Sequence, residues 1–198
     1  MTPAAGNCLG HGGLPIFRRL LADRSGIAAT EFALTLPLLA ALWLGMAELT
    51  QISMAGAKAT LAAQSVADLV SRYSSGGYSD PQGFTDLEAA AATIIAPLPT
   101  TSGNPLVSIV SATLNSSGAP TEAWQCTTGT MPPSYSVTTL LSAAPALTTQ
   151  NSALGSVIMV TVFYVYSPTI SGGITGSQTF SATAYSIPRT VSAIPKPC

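Results

Sequence analysis

Side chains that could do chemistry are few and far apart in this chain of 198 residues. Its single histidine, His11, excludes a Ser–His or Cys–His pair elsewhere in the chain and any histidine-based metal cluster. The acidic residues after position 75 are Asp80, Asp86, Glu88 and Glu122. They follow no spacing that would bring two carboxylates onto one reacting bond or one metal ion. The sequence therefore predicts a protein that is not an enzyme and that holds no metal or cofactor.

The composition points to a membrane-associated or exported protein. Charged residues make up only 8% of the chain, against roughly a quarter in ordinary soluble domains, and hydrophobic residues make up 47%. Seven basic and eight acidic residues give a formal net charge of −1, which excludes a basic face for nucleic acid. The chain also has too many apolar residues and too few charges to be an acidic disordered segment.

One apolar stretch is long enough to cross a membrane. Residues 27–47 contain a single charged residue, Glu31, and as a helix they would cover about 31 Å, close to the thickness of the hydrocarbon layer. A buried core helix is rarely apolar on every face for so long. The competing interpretation is a cleavable secretory signal, with a small-x-small site at residues 45–47.

The charges beside this stretch predict its orientation. Arg18, Arg19 and Arg24 precede it, and no basic residue follows it directly. The positive-inside rule then places the N-terminal side in the cytoplasm and the rest of the chain outside.

Glu31 needs an explanation, because a carboxylate inside an apolar membrane helix is costly unless it is paired or neutralised. Three structural explanations stay open. The side chain could reach back to the membrane interface, it could pair with Arg24, or it could be protonated and idle. A functional role is the alternative, and the surrounding residues favour it.

The stretch DRSGIAATEFALTLPLLAALWLGMAEL, residues 23–49, resembles the membrane helix of the TadE/TadG-like family of Flp (Tad) pilus assembly proteins. Basic residues, a glycine, and an apolar run with a glutamate at the fifth position after the glycine also resemble the processing site of type IV prepilins. The resemblance extends from about Arg19 to Met54, about a fifth of the chain.

The resemblance implies a processing site and an assembly segment. A membrane-embedded prepilin peptidase would cut between Gly26 and Ile27, and Glu31 would then meet the new amino group of Ile27 in its own or a neighbouring subunit. Phe32 and Pro37 would belong to the same assembly segment. Isoleucine at the first position after cleavage and the early proline both differ from major type IV pilins and point to a minor pseudopilin. Pro37 could be a harmless kink or a hinge.

The chain after the membrane segment predicts an exported α+β domain of pilin-like design. Small and apolar residues at three- and four-residue spacings predict that the helix continues to about residue 74, so that one helix from residue 20 would exceed about 70 Å. The predicted buried face consists of Ala55, Ala59, Ala62, Val66, Leu69, Val70 and Tyr73.

A second helix and a small antiparallel sheet should follow, with the sheet covering one face of the long helix. A capping box at residues 85–88 predicts the start of the second helix, and Pro97 ends it. Residues 128–155 are expected to form a loop. Four segments predict strands: residues 106–114, 122–127, 157–166 as a central strand and 178–186 as an edge strand.

These predictions divide the chain into four parts. A cytoplasmic leader occupies residues 1–26, a transmembrane helix residues 27–49, an exported helix extension residues 50–75, and a small α+β domain residues 76–198.

Two cysteines lie on the predicted exported side, where disulfides persist. Cys126 and Cys198 could form a bridge that ties the C-terminal end to the sheet, but two free thiols or an intermolecular link remain open. Cys8 would leave with the leader.

Two functions from different classes follow. The first is a minor pseudopilin or assembly component of a Flp/Tad-type pilus, with the inner membrane, a prepilin peptidase, other Tad pilins or pseudopilins and the pilus assembly machinery as partners, and no nucleic acid. The second is an uncleaved, single-pass anchored binding or scaffold protein, such as an adhesin. Both place the protein in a bacterial inner membrane with its N-terminus cytoplasmic and its C-terminus periplasmic, and the first also allows incorporation into an extracellular pilus.

Overall fold

The computed structural model describes residues 25–73, 81–101, 103–114, 119–143, 156–168, 176–196 and 198. Most of the predicted leader, including Arg24 and Cys8, lies outside these residues. The chain divides into two compact units, residues 1–46 and residues 47–198, and helix α1 (Ser25–Ser71) contributes to both.

In the first unit, α1 is exposed on all sides up to Met46. Large apolar side chains such as Leu34, 78% exposed, and Trp43 point away from any protein core. Within the part of the chain that the structure describes, α1 is the one helix long and apolar enough to cross a membrane. Burial in lipid would remove this apolar surface from water, which is the strongest favourable term available to such a helix.

In the second unit, α1 packs on one face of a four-stranded antiparallel sheet. The strands are β1 (Leu106–Leu114), β2 (Pro120–Thr127), β3 (Ser156–Tyr166) and β4 (Gln178–Ser186), in the order β2-β1-β3-β4. This confirms the predicted α+β fold.

The position of each strand follows from its residues. β3 is apolar on both faces and lies between β1 and β4, as a central strand should. β4 alternates polar and apolar residues and lies at an edge, as predicted. β2 begins two residues earlier than its sequence pattern indicates, at Pro120, which suits a proline because the other edge of the sheet needs no donor on its outer side.

Small side chains let α1 lie close to the sheet. Ala55, Ala59, Ala62 and Val66 are almost fully buried, as the spacing predicts. The prediction for Leu69 is wrong: its side chain is 40% exposed, because Ala63 and Ala67 occupy the buried side of the helix in the same turns. The buried face is therefore formed mainly by alanines.

A second helix, α2 (Pro81–Ile95), packs against the same face of the sheet with Leu87, Ala91 and Ile95. The predicted capping box is wrong, since Thr85 lies inside the helix and not at its N-cap. Proline at the first helical position explains the earlier start, because its fixed φ suits a helix and it has no N–H to leave unpaired.

Part of the predicted loop at residues 128–155 is a short helix, α3 (Val137–Ala143). It covers the other face of the sheet with Val137, Leu140 and Leu141. Those residues pack on a small cluster formed by Val110, Ala112, Val157 and Met159. The apolar spacing of α3 spans only two turns, too few for a helical period to be recognised.

Candidate processing and assembly site

Gly26 lies in α1, in a position where the fold does not need a glycine. A Cβ atom added there would meet nothing within 4 Å. Alanine at an exposed helical position is about 1 kcal/mol more favourable than glycine. Neither packing nor backbone conformation in the described part of the chain therefore accounts for Gly26.

The bond between Gly26 and Ile27 is part of a helical backbone. Ile27 is exposed, and its carbonyl oxygen accepts a hydrogen bond from Oγ1 of Thr30 at 2.8 Å. A protease that needs an extended substrate would have to unwind this turn first. Glycine makes that unwinding easier, because it gains more backbone entropy than any other residue on leaving a helix.

Glu31 lies four residues after Ile27, so the two side chains share one face of the helix. In the part of the chain that the structure describes, Glu31 has no ion-pair partner. Arg24, a possible partner by sequence, lies outside that part. The carboxylate is exposed on α1 beside the residue that would carry a new amino group after cleavage.

Phe32 and Pro37 complete the predicted assembly segment. Phe32 is 61% exposed on α1, and its carbonyl oxygen accepts a hydrogen bond from Oγ1 of Thr35 at 3.2 Å. Pro37 lies inside α1, where it has no N–H to offer the carbonyl group four residues earlier. The helical ladder therefore lacks one bond just after Phe32.

A polar cluster lies at the start of the second unit, and sequence reasoning missed that its glutamate is buried. Glu48 is the first charged residue after the apolar stretch, yet only 6% of its surface is exposed. Nearby, the hydroxyl of Tyr166 donates a hydrogen bond to Oε1 of Gln51 at 3.0 Å. Burial, and then the negative charge of Glu48, raise the pKa of Tyr166.

The helical period contains the signal for this burial. Glu48 precedes Ile52, Ala55 and Ala59 at spacings of four, seven and eleven residues, so it lies on the face that packs on the sheet. This cluster joins the exit of the apolar stretch to the end of β3.

The family comparison coincides with this helix. The model for TadE-like proteins matches residues 26–68. The match begins at Gly26, contains Glu31, Phe32 and Pro37, and ends at Asp68. It confirms the resemblance drawn from the sequence and indicates involvement in Tad pilus assembly. No curated protein and no solved structure matches the chain.

The two cysteines of the second unit are joined in the structure. Cys126 and Cys198 form a disulfide with their Cα atoms 5.9 Å apart. Cys126 is 2% exposed and belongs to the core between the sheet and α1, whereas Cys198 is exposed. Among the described residues, no group of three or more His, Cys, Asp or Glu side chains could hold a metal ion.

Proposed function

We propose that this protein is a minor pseudopilin, or a related assembly component, of a Flp/Tad-type pilus. In this proposal a prepilin peptidase cleaves it between Gly26 and Ile27, and its role is structural and not enzymatic. The observation that carries the proposal is Gly26 itself, a glycine at the first residue of the TadE-like match. The fold does not need this glycine.

The relation of Glu31 to Ile27 supports the assembly step. After cleavage, the helix would begin at Ile27 with a free ammonium group, one helical turn from the Glu31 carboxylate. A carboxylate and an ammonium group that enter the hydrocarbon as a pair neutralise each other, whereas either charge alone would be costly there. The same carboxylate could instead receive the amino group of a neighbouring subunit and so align the two chains.

The exposed apolar part of α1 supports an inner-membrane location. Its side chains have no protein cover in the first unit. The arginines before it favour a cytoplasmic N-terminus and a periplasmic second unit. From the membrane the subunit would pass into a pilus or stay as part of the assembly machinery.

A second candidate is an uncleaved anchored protein that binds or scaffolds through its exported part. The observation that favours it is the extent of the family match, which ends at Asp68 and includes no strand of the sheet. In that case α1 would serve as an anchor only, and Gly26 would be replaceable.

The deciding experiment is intact mass and N-terminal sequencing of the full chain purified from membranes with and without a co-expressed prepilin peptidase. Gly45 provides a matched control, because it also lies in the exposed part of α1 with nothing within 4 Å of an added Cβ. We expect a new terminus at Ile27 in the wild type and in Gly45→Ala, and none in Gly26→Ala.

Two other outcomes would contradict the proposal. A chain that keeps the residues before Gly26 beside an active cognate peptidase supports the anchored protein. A terminus at Glu48 indicates a secretory signal cleaved after Ala47 and a released exported domain.

A further inference from the structure

Residues 187–196 together with Cys198 lie across the second unit, and we call them the strap. It leaves the end of β4, and its Ile194 is buried in the core between α1 and the sheet. Contacts at three places hold it: the end of α1, β2, and the first residue of β3.

At the end of α1 the strap is held by polar contacts. Nη2 of Arg189 lies 2.5 Å from Oδ1 of Asp68, and the backbone N–H of Arg189 donates to the carbonyl oxygen of Ser71 at 2.9 Å. The hydroxyl of Thr190 donates to the carbonyl oxygen of Tyr73 at 2.6 Å. The bond from Arg189 N–H satisfies the Ser71 carbonyl group, one of those that the end of a helix leaves without a partner.

At β2 the strap is held by a hydrogen bond and a covalent bond. The indole N–H of Trp124 donates to the carbonyl oxygen of Ile194 at 2.8 Å. Two residues along β2, Cys126 forms the disulfide with Cys198. Between the two ends of the strap, the hydroxyl of Ser156 donates to the carbonyl oxygen of Ser192 at 2.9 Å.

The two cysteines differ in access. Cys126 is buried, so a thiol or thiolate outside the protein cannot reach its sulfur, whereas Cys198 is exposed. Attack on the Cys198 sulfur would expel Cys126 as a thiolate into an apolar site. Such a site disfavours the thiolate and makes it a poor leaving group.

We propose that the strap gates the Cys126–Cys198 bond: a thiol can reach Cys198, but Cys126 leaves as a thiolate only after the strap has lifted from Trp124 and Asp68 and water reaches its sulfur. The exchange partner is a thiol–disulfide oxidoreductase of the oxidising compartment. The site at which it reacts is Cys198. The physiological setting rests on the exported location in the proposed function, but the gate itself does not depend on cleavage at Gly26.

The chemistry balances in both directions. On oxidation, the Cys198 thiolate attacks the partner's disulfide, and one partner sulfur leaves as a thiol. The Cys126 thiolate then displaces the second partner sulfur, so two electrons and two protons pass to the partner. On reduction, a dithiol attacks Cys198, Cys126 leaves and takes up a proton, and the second thiol of the dithiol releases Cys198.

The gate is tested by the rate at which dithiothreitol reduces the disulfide in the full chain in detergent, with alkylation and intact mass as the readout. A locally gated bond reacts in proportion to the population with an open strap. Arg189→Gln removes an exposed ion pair and should speed reduction about 2–5-fold. Trp124→Phe removes one hydrogen bond to the strap and should speed it about 2–10-fold.

Two variants serve as matched controls. Nη2 of Arg72 also lies 2.5 Å from the Asp68 carboxylate, but Arg72 follows α1 and not β4, so Arg72→Gln should leave the rate unchanged. Ile95→Val lowers the stability of α2 by removing one buried methyl group and should also leave the rate unchanged. If Ile95→Val accelerates reduction as much as Arg189→Gln, opening is global unfolding and the proposal is wrong. The proposal is also wrong if dithiothreitol reduces the wild-type disulfide as fast as it reduces glutathione disulfide.

A second measurement tests which cysteine meets the partner. In Cys126→Ser the remaining thiol lies on the strap, and in Cys198→Ser it lies in the core. We expect the Cys198 thiol of the Cys126→Ser variant to react with an aromatic disulfide reagent at least about tenfold faster than the Cys126 thiol of the Cys198→Ser variant. Equal rates, or a faster Cys198→Ser, would overturn the assignment of Cys198.

Discussion

Asp68 and Arg189, 121 positions apart in the sequence, form an ion pair with 2.5 Å between Oδ1 and Nη2. The other carboxylate oxygen of Asp68 pairs with Arg72 at the same distance. Asp68 thus serves both its own helix and the strap that follows β4. The i, i+4 spacing of Asp68 and Arg72 favours their ion pair, whereas the sequence contains no local signal for the pair of Asp68 with Arg189.

The Asp68–Arg189 pair should make a small but measurable contribution to stability. Both side chains are partly exposed, so we expect a coupling free energy of about 0.2–1 kcal/mol. A double-mutant cycle with Asp68→Asn and Arg189→Gln, measured by denaturant unfolding of the full chain in detergent, gives this value. The coupling should weaken at high salt, and a coupling that salt does not change would contradict an ion pair.

Lys58 should stabilise the packing of α2 beside α1. Its ammonium group donates to the carbonyl oxygens of Ile94, at 3.0 Å, and of Ala96 at the C-terminal end of α2. A cation there satisfies free carbonyl groups and favours the negative end of the helix dipole. We expect Lys58→Met to lower the free energy of unfolding by about 1–3 kcal/mol. Lys196→Met, at an exposed position in the strap, is the control and should cost little.

Gly56 of α1 lies beside Phe180 of β4. A Cβ added there would lie 3.4 Å from Cδ1 of Phe180, an ordinary contact. Gly56→Ala should therefore be neutral or stabilise by up to about 1 kcal/mol through helix propensity. Gly56→Leu should cost about 1–3 kcal/mol because the larger side chain cannot fit. Thermal unfolding distinguishes them, and Gly45→Leu, where the added group meets nothing, should not destabilise the second unit.

Alkaline pH should destabilise the second unit through its fully and partly buried tyrosines. Burial raises the pKa of Tyr135, Tyr164, Tyr166 and Tyr185, so the folded protein holds these protons more tightly than the unfolded chain. The resulting stability is complete below about pH 10 and is lost as the pH rises through the folded-state pKa values.

The variant Tyr166→Phe isolates one part of this effect. It should lose about 1 kcal/mol near neutral pH, because the hydrogen bond to Gln51 disappears. It should also show a smaller fall in stability than the wild type above about pH 10. Denaturant unfolding across this range measures both, and an equal alkaline fall in the two proteins would contradict the role of Tyr166.

Glu31→Gln tests the proposed assembly step separately from cleavage. The amide is too weak a partner for an ammonium group in hydrocarbon, and removing one member of a buried ion pair costs about 3–5 kcal/mol. We expect normal cleavage at Gly26 but at least about tenfold less protein in the sheared pilus fraction, measured by immunoblot. Glu88→Gln, on α2, is the matched control. If the Glu31 variant enters the pilus fraction normally, assembly does not need the carboxylate.

Much of this protein can be predicted from the sequence because the signals are local. An apolar run indicates the exposed part of α1, strand alternation indicates the bounds of β1 and β4, and the two-sided apolar pattern indicates the central place of β3. The TadE-like stretch is likewise a continuous motif, so its match to residues 26–68 needs no knowledge of the fold. Each of these features depends on residues that are neighbours in the chain.

Only the tertiary structure decides which distant residues meet. The hydrogen bond of Tyr166 to Gln51, the exposure of Leu69, the ion pair of Asp68 with Arg189 and the pairing of Cys126 with Cys198 all depend on how α1, the sheet and the strap come together. The apparent capping box, in contrast, fails for a local reason, since the helix begins at Pro81 and Thr85 lies inside it. Local periodicity determines where helices and strands form, but the contacts between them are chosen by packing in three dimensions.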